Sequence, residues 1–243
     1  MKRAALALPL LTVLSLTTLT ACGDGEGDGG SDAKTTAGPK TTASQAKPAV
    51  DPVKELTKLF VTKAEAPDYT VDEPAKGDAM AETQEDMSVD KASCAPLAYA
   101  TNYLPLGDPE ASVVHVANDG TFAYNYITLA TYTEGKAEAA MKGLAEAVSS
   151  CTAGYTAKSD KASTPYTSVK KETPFPDAAA DESIATASTV SYKGTQTMRT
   201  QTFRFGDTIV NYFSIDTSGF MQGRSGSAKV PTDLVKAQNK KLS

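Results

Sequence analysis

Few residues of this chain combine a reactive type with a spacing that does chemistry. There are three cysteines (Cys22, Cys94 and Cys151), a single histidine (His115) and no tryptophan. Catalysis by a Ser–His or Cys–His pair would have to rest on that one imidazole, and a histidine-rich metal site is excluded. His115 stands between Val114 and Val116, so in a strand it faces opposite to those valines. It is expected to be an exposed or hydrogen-bonded strand residue. Gly223-Arg224-Ser225-Gly226-Ser227 misses the G-x-S-x-G elbow at its fifth position and does not join a strand to a helix. It reads as a flexible loop. Asp24-Gly25-Glu26-Gly27-Asp28-Gly29 opens like a calcium loop, but Thr35 stands where the bidentate Glu belongs. An acidic linker is the better reading. The sequence holds no phosphate-binding loop, dinucleotide fingerprint or H-E-x-x-H motif. Carboxylates are plentiful, and no spacing singles out a pair. No catalytic residue, metal or cofactor is expected.

One constellation stands out. Phe122, Tyr124, Tyr126 and Tyr132 share one parity of the run 121–132, with Ala123, Ile127 and Leu129 on the other. On a strand they form a row on one face. Such a row lines a cleft for an apolar or ring-bearing ligand, or it packs against a helix as core. Packing is the simpler reading, and the four residues are candidate ligand contacts.

The N-terminus carries a targeting pattern. Lys2 and Arg3 precede an apolar run, Ala4 to Leu16, too short for a spanning helix of ~20 residues. Leu19-Thr20-Ala21-Cys22 follows and resembles a bacterial lipobox. The resemblance implies a lipoprotein signal peptide over residues 1–21, lipid attached to the Cys22 sulfur, and a membrane as partner through that anchor. The other reading is a plain secretory signal with a chance cysteine. Two buried acyl chains suffice for stable attachment, at ~0.8 kcal/mol per CH₂. Gly23 to Ala49 contains no Val, Ile, Leu, Met, Phe or Tyr. It cannot bury enough apolar surface to offset its ordering entropy. Residues 22–50 are therefore expected to be the lipidated cysteine and a disordered tether, with a reach of roughly 30 Å.

With Cys22 taken by lipid, Cys94 and Cys151 have one possible intramolecular pairing. It would be stable in an oxidising, extracytoplasmic compartment. The competing role is a reactive cysteine. There is no C-x-x-C, and no nearby basic cluster lowers a thiol pKa.

The remaining chain, 51–243, reads as one folded domain. Hydrophobic residues are 40% and charged residues 22% of the chain, and the net charge of −5 argues against a nucleic-acid partner. Asp51-Pro52 caps a helix carrying Val53, Leu56, Leu59 and Phe60 on one face. The stretch 71–90 is polar and irregular, with an edge strand at most. Cys94 to Tyr99 opens a short helix. Ser112–Ala117 and Thr121–Tyr132 are strands joined at Asn118-Asp119-Gly120. Ala137, Ala140, Met141, Leu144, Ala145 and Val148 set a helix ending near Cys151. Ile184–Tyr192, Thr195–Phe205 and Thr208–Asp216 form a meander with turns at Lys193-Gly194 and Gly206-Asp207. Pro231 opens a terminal helix. The expected fold is α+β: an antiparallel sheet packed with three to four helices and one disulfide.

The lipobox, the tether, the Cys94-Ala95-Pro96-Leu97 context, the second cysteine after Val148-Ser149-Ser150 and the terminal Pro231-to-Gln238 helix together resemble secreted lipoproteins of high-GC Gram-positive bacteria. More distantly they are similar to PknH-like extracellular sensor domains. That resemblance implies an α+β domain with a ligand cleft and no catalytic residues. The functional expectation is a membrane-anchored, non-catalytic sensor or interaction module for a small molecule or an envelope protein. The alternative is a carrier holding an apolar molecule or lipid in an enclosed cavity behind the tyrosine row.

Overall fold

A computed structural model describes residues 51–243. The expectations for the signal segment, the lipid on Cys22 and the tether fall on residues 1–50, outside the described residues.

The first helix, α1 (Pro52–Lys58), starts as its sequence dictates. The Asp51 carboxylate accepts the Val53 N–H at 3.1 Å, with Pro52 in the first turn. The helix stops at Lys58, before the apolar spacing ends; Leu56 and Phe60 are buried, and Val53 in its first turn is exposed. The stretch 71–90 contributes two short strands, β1 (Thr70–Asp72) and β2 (Ser88–Val89). A 3₁₀ turn (Ala92–Cys94) leads into α2 (Ala95–Ala100), which carries Pro96 in its first turn. β3 (Ala111–Asn118) and β4 (Ala123–Thr131) form the expected hairpin. Its turn is fixed by side chains: Asn118 Oδ1 accepts from the Gly120 N–H and Asp119 Oδ1 from the Thr121 N–H. Gly120 takes φ 83°.

α3 (Lys136–Ser150) buries Ala137, Ala140, Met141, Leu144, Ala147 and Val148. Ala147 lies on the buried face where Ala145 was expected; Ala145 is exposed. Next comes a hairpin that sequence reasoning missed, β5 (Tyr155–Lys158) and β6 (Ser163–Glu172). The reason is a bulge: the β6 register shifts between Tyr166 and Ser168. The two buried residues, Tyr166 and Val169, therefore stand three apart and break the period of two. β7 (Glu182–Ser191), β8 (Thr195–Phe205) and β9 (Thr208–Asp216) form the expected meander. α4 (Thr217–Gln222), β10 (Gly226–Ser227) and α5 (Thr232–Asn239) complete the domain.

The strand order is β1-β3-β4-β9-β8-β7-β6-β5-β2. Each of those pairings is antiparallel, and β10 runs parallel to β8. The α+β architecture holds, with five α-helices among the described residues in place of the three to four expected. The extra one is α4, which the Asp216 carboxylate caps through the Ser218 N–H at 2.9 Å. The loop expected at Gly223–Ser227 is also tied down, because β10 lies within it. Gly219 and Gly226 make that docking possible: a Cβ on either would meet Gln196 Oε1 at 2.4 or 2.5 Å.

Each face of the sheet carries a core. The first lies under α2 and α3 and includes Leu97, Met141, Leu144, Tyr132, Ile209 and Phe213. The second lies under α1 and α5 and includes Leu56, Phe60, Ile127, Phe203, Tyr212 and Leu234. Cys94 and Cys151 are joined, with Cα atoms 5.9 Å apart. The bond ties the start of α2 to the end of α3, and neither sulfur is a free nucleophile. The described residues, 51–243, lie within one compact unit. Both cores and the disulfide lie inside it, so this segment contains what it needs to fold alone.

Candidate ligand cleft

The strands that build the first core also build a cleft. Along β4, β8 and β9, side chains of one parity, Tyr126, Met198, Phe213 and Ile215, make its floor. The segment following α2 supplies one wall with Tyr103. Gly77 to Met80, the β5–β6 turn and α4 supply the others. The open space is about 450 Å³, within the range of small-molecule sites.

An aromatic ladder runs through it. The Tyr103 and Tyr126 rings stack with centroids 4.1 Å apart, and Phe213 lies 5.8 Å from Tyr126 and 6.4 Å from Tyr103. Tyr103 holds a left-handed backbone, φ 46°, which costs a non-glycine residue of order 1–3 kcal/mol. The surroundings enforce it. The Leu104 N–H reaches back to the Tyr99 carbonyl at 3.1 Å. Thr128 on β4 donates its hydroxyl to the Tyr103 carbonyl at 3.0 Å, and Asn211 on β9 donates to the Ala100 carbonyl at 2.9 Å. Thr202 on β8 braces Asn211 at 2.8 Å. A row of buried polar side chains on the sheet thus grips the carbonyls at the end of α2 and delivers Tyr103 to the cleft. Tyr103 is 9% exposed and its hydroxyl is buried without a hydrogen-bond partner. Burial pushes its phenol up, aided by Tyr126, Asp78 and Glu82. Burial also raises the Tyr126 phenol, with Asp78 and Tyr124 adding to it.

The segment beside Tyr103 is pinned at several points. Lys161 donates to the Ala79 carbonyl at 3.2 Å and to Glu82 Oε1 at 2.8 Å. Gln84 donates to the carbonyls of Pro105 and Gly107 at 2.6 and 2.9 Å.

The sequence-derived tyrosine row is divided by the fold. Tyr126 lines the cleft. Tyr132, beyond the end of β4, is core, and its hydroxyl donates to the Leu106 carbonyl at 2.6 Å. Tyr124 is exposed on the same strand face, and Phe122 is exposed in the turn before β4. Sequence reasoning did not find Tyr103, Phe213 or Phe220. Alternation along β9 assigns Phe213 a face, but nothing in the sequence says where the end of α2 lands, so nothing pairs Tyr103 with Tyr126.

The other candidates for chemistry lie apart. His115 stacks on Phe60 at 3.8 Å on the second face, with Nδ1 buried and unpartnered. Burial lowers its pKa against the opposing pull of Glu73 and Asp72. Ser225 accepts the Thr195 N–H at 3.0 Å, and the one imidazole is across the sheet from the cleft. Among the described residues no group of three or more His, Cys, Asp or Glu is placed to hold a metal ion. No helix among them is long and apolar enough to cross a membrane.

Fold and site together define a disulfide-stapled α+β domain with an open, aromatic-lined cleft. No family model and no curated protein matches the chain. Solved structures similar at a distance include the following two. The extracellular domain of PknH from Mycobacterium tuberculosis has 9% identity, covering 82% of this chain and 97% of that one, with a TM-score of 0.45. An uncharacterized protein from Mycobacterium smegmatis has 13% identity, covering 78% and 94%, with a TM-score of 0.36. At these scores neither carries weight for what the cleft takes.

Proposed function

We propose that residues 51–243 are a non-catalytic extracytoplasmic sensor or binding module that recognises a small, apolar, ring-bearing ligand in the cleft, and that lipid on Cys22 holds it to the outer face of the cell membrane. The observation that supports the site is Tyr103. Its backbone is strained, its ring is stacked in an aromatic ladder, and its buried hydroxyl has no partner. An unsatisfied buried hydroxyl costs about 1–3 kcal/mol, and a ligand group that displaces the atoms covering it and bonds to it recovers that cost. The anchoring half of the reading rests on the lipobox. The carrier alternative calls for an enclosed cavity, whereas the space at Tyr126 is an open cleft, a shape suited to reversible recognition.

The test is a fluorescence titration with anilinonaphthalene sulfonate, an apolar ring-bearing probe. We expect saturable binding at one site, weakened roughly tenfold by Tyr126→Ala, the ~1.4 kcal/mol scale of one aromatic contact. Absent binding, or binding indifferent to Tyr126→Ala in a protein with native circular dichroism, overturns the reading.

A further inference from the structure

Among the described residues, five large apolar side chains are exposed: Val53, Phe122, Tyr124, Tyr192 and Met221. Four of the five gather at one lip of the cleft. They come from three short segments: the β3–β4 turn with the start of β4, the β7–β8 turn, and α4. Hydrogen bonds and ring contacts bring these together. The Thr217 N–H and hydroxyl both donate to the Phe122 carbonyl, at 2.9 and 3.0 Å. Tyr192 lies 5.8 Å from Phe220, a cleft-lining residue of α4. Phe122, Tyr192 and Met221 are 52%, 50% and 61% exposed. No packing role within the domain accounts for that exposure.

We propose that this lip seats in the interfacial layer of a lipid bilayer, so that one rim of the cleft rests on the membrane. The residue types fit. Phenylalanine and methionine insert, and tyrosine keeps its hydroxyl at headgroup level. The size fits as well. Four side chains about half exposed, of roughly 200 Å² each, offer about 400 Å². A patch of that size is commonly functional, yet it is about half of the ~800 Å² that each partner buries in a stable protein interface. The charges permit it. Lys193 lies 5.6 Å from the Tyr192 ring, and Arg224 bonds the Gln222 and Ser218 side chains. The nearby carboxylates, Asp119 and Asp216, accept from Thr121 and Ser218 at the turn and the helix cap. Opposite charges are thus balanced at the lip, and the chain's net −5 acts weakly beyond a Debye length of ~8 Å. The driving force is apolar insertion. Fifty residues precede Asp51. With Cys22 acylated, a tether of roughly 30 Å reach would keep the lip within range of the bilayer.

The experiment uses residues 48–243, which lack Cys22 and the apolar N-terminal run, so that binding reports on the lip alone. The protein is sedimented with phosphatidylcholine vesicles containing a minor fraction of phosphatidylglycerol, at low and high salt. We expect a bound fraction that rises with lipid and changes little with salt, and that falls at least roughly fivefold in Phe122→Ser/Met221→Ser. No vesicle binding, or binding that persists in the double variant, overturns the proposal. So does a dimer in sedimentation velocity that the double variant abolishes without any vesicle binding, because the lip would then be a self-association face. The double variant still takes anilinonaphthalene sulfonate at the cleft, so failure here and failure of the cleft reading are separate results.

Discussion

Breaking the Cys94–Cys151 bond perturbs the unfolded chain more than the folded one, and this makes its effect calculable. The bond closes a loop with a sequence separation of 57. Loop-closure entropy for that length is worth about 4 kcal/mol. In the folded state α2 and α3 remain pressed together through Leu97, Ala98, Met141, Leu144 and Val148, all buried, so reduction leaves the native contacts in place. Both sulfurs are fully buried, so Cys94→Ala/Cys151→Ala adds a small void at each site, about 1 kcal/mol. Comparing reduced wild-type protein with oxidised protein isolates the cross-link from the voids. Urea unfolding at neutral pH, followed by far-ultraviolet circular dichroism, should show the reduced protein less stable by about 4 kcal/mol. A domain of this size should lose roughly 8–16 °C in Tm. The denaturant slope should rise, because the released unfolded chain exposes more surface. A difference below about 1 kcal/mol with an unchanged slope would refute the reasoning. The unfolded chain would then already be constrained around these residues.

Two glycine substitutions and one histidine titration test the packing of the domain. Gly154 has φ 84°, and a Cβ there would stand 2.0 Å from the Tyr166 carbonyl oxygen. Gly154→Ala should destabilise by more than about 3 kcal/mol. Gly120→Ala, at φ 83° in open space, should cost only the backbone strain of about 1–2 kcal/mol; equal losses would show that the close approach at Gly154 is not real. Burial holds the His115 pKa below 6.5, so protons bind the unfolded state more readily. The stability this contributes is complete above pH 6.5 and is lost as the pH falls through the lower, folded-state value. His115 is the one histidine, so its imidazole resonance is unambiguous in nuclear magnetic resonance. A midpoint at or above 6.5 contradicts the buried stack on Phe60.

Where local chemistry alone decides, the sequence spoke clearly. Asp51-Pro52, Asn118-Asp119-Gly120 and Gly206-Asp207 each satisfy or excuse specific backbone groups within a few residues, and each forms as expected. β8 and β9 match the spans read from residue type because Gly206 fixes the turn between them. The β5–β6 hairpin was invisible, since the bulge at Tyr166–Ser168 shifts the alternation that would reveal it. α4 was hidden for another reason. Gly219 is a poor helix residue by propensity and is required there by the Gln196 side chain lying against it. The cleft was half legible: Tyr126 followed from strand parity, whereas Tyr103 depends on long-range bonds from Thr128 and Asn211.

The position of β9 between β4 and β8 sets an order of events for a chain that emerges from its N-terminal end. β3 and β4 pair early, but the far side of β4 waits for a partner that lies beyond α3 and four further strands. Until then Ile127 and Leu129, fully buried in the finished domain, project from a strand with open hydrogen bonds, the kind of surface that recruits another chain. Both cysteines of the staple are made before β9. The bond can therefore close around the β3–β4 hairpin and gather α2 and α3 over one face while the rest of the sheet is still arriving. On this timetable the disulfide acts first as a clasp on a half-built sheet, shortening the search that a long-range pairing would otherwise make slow.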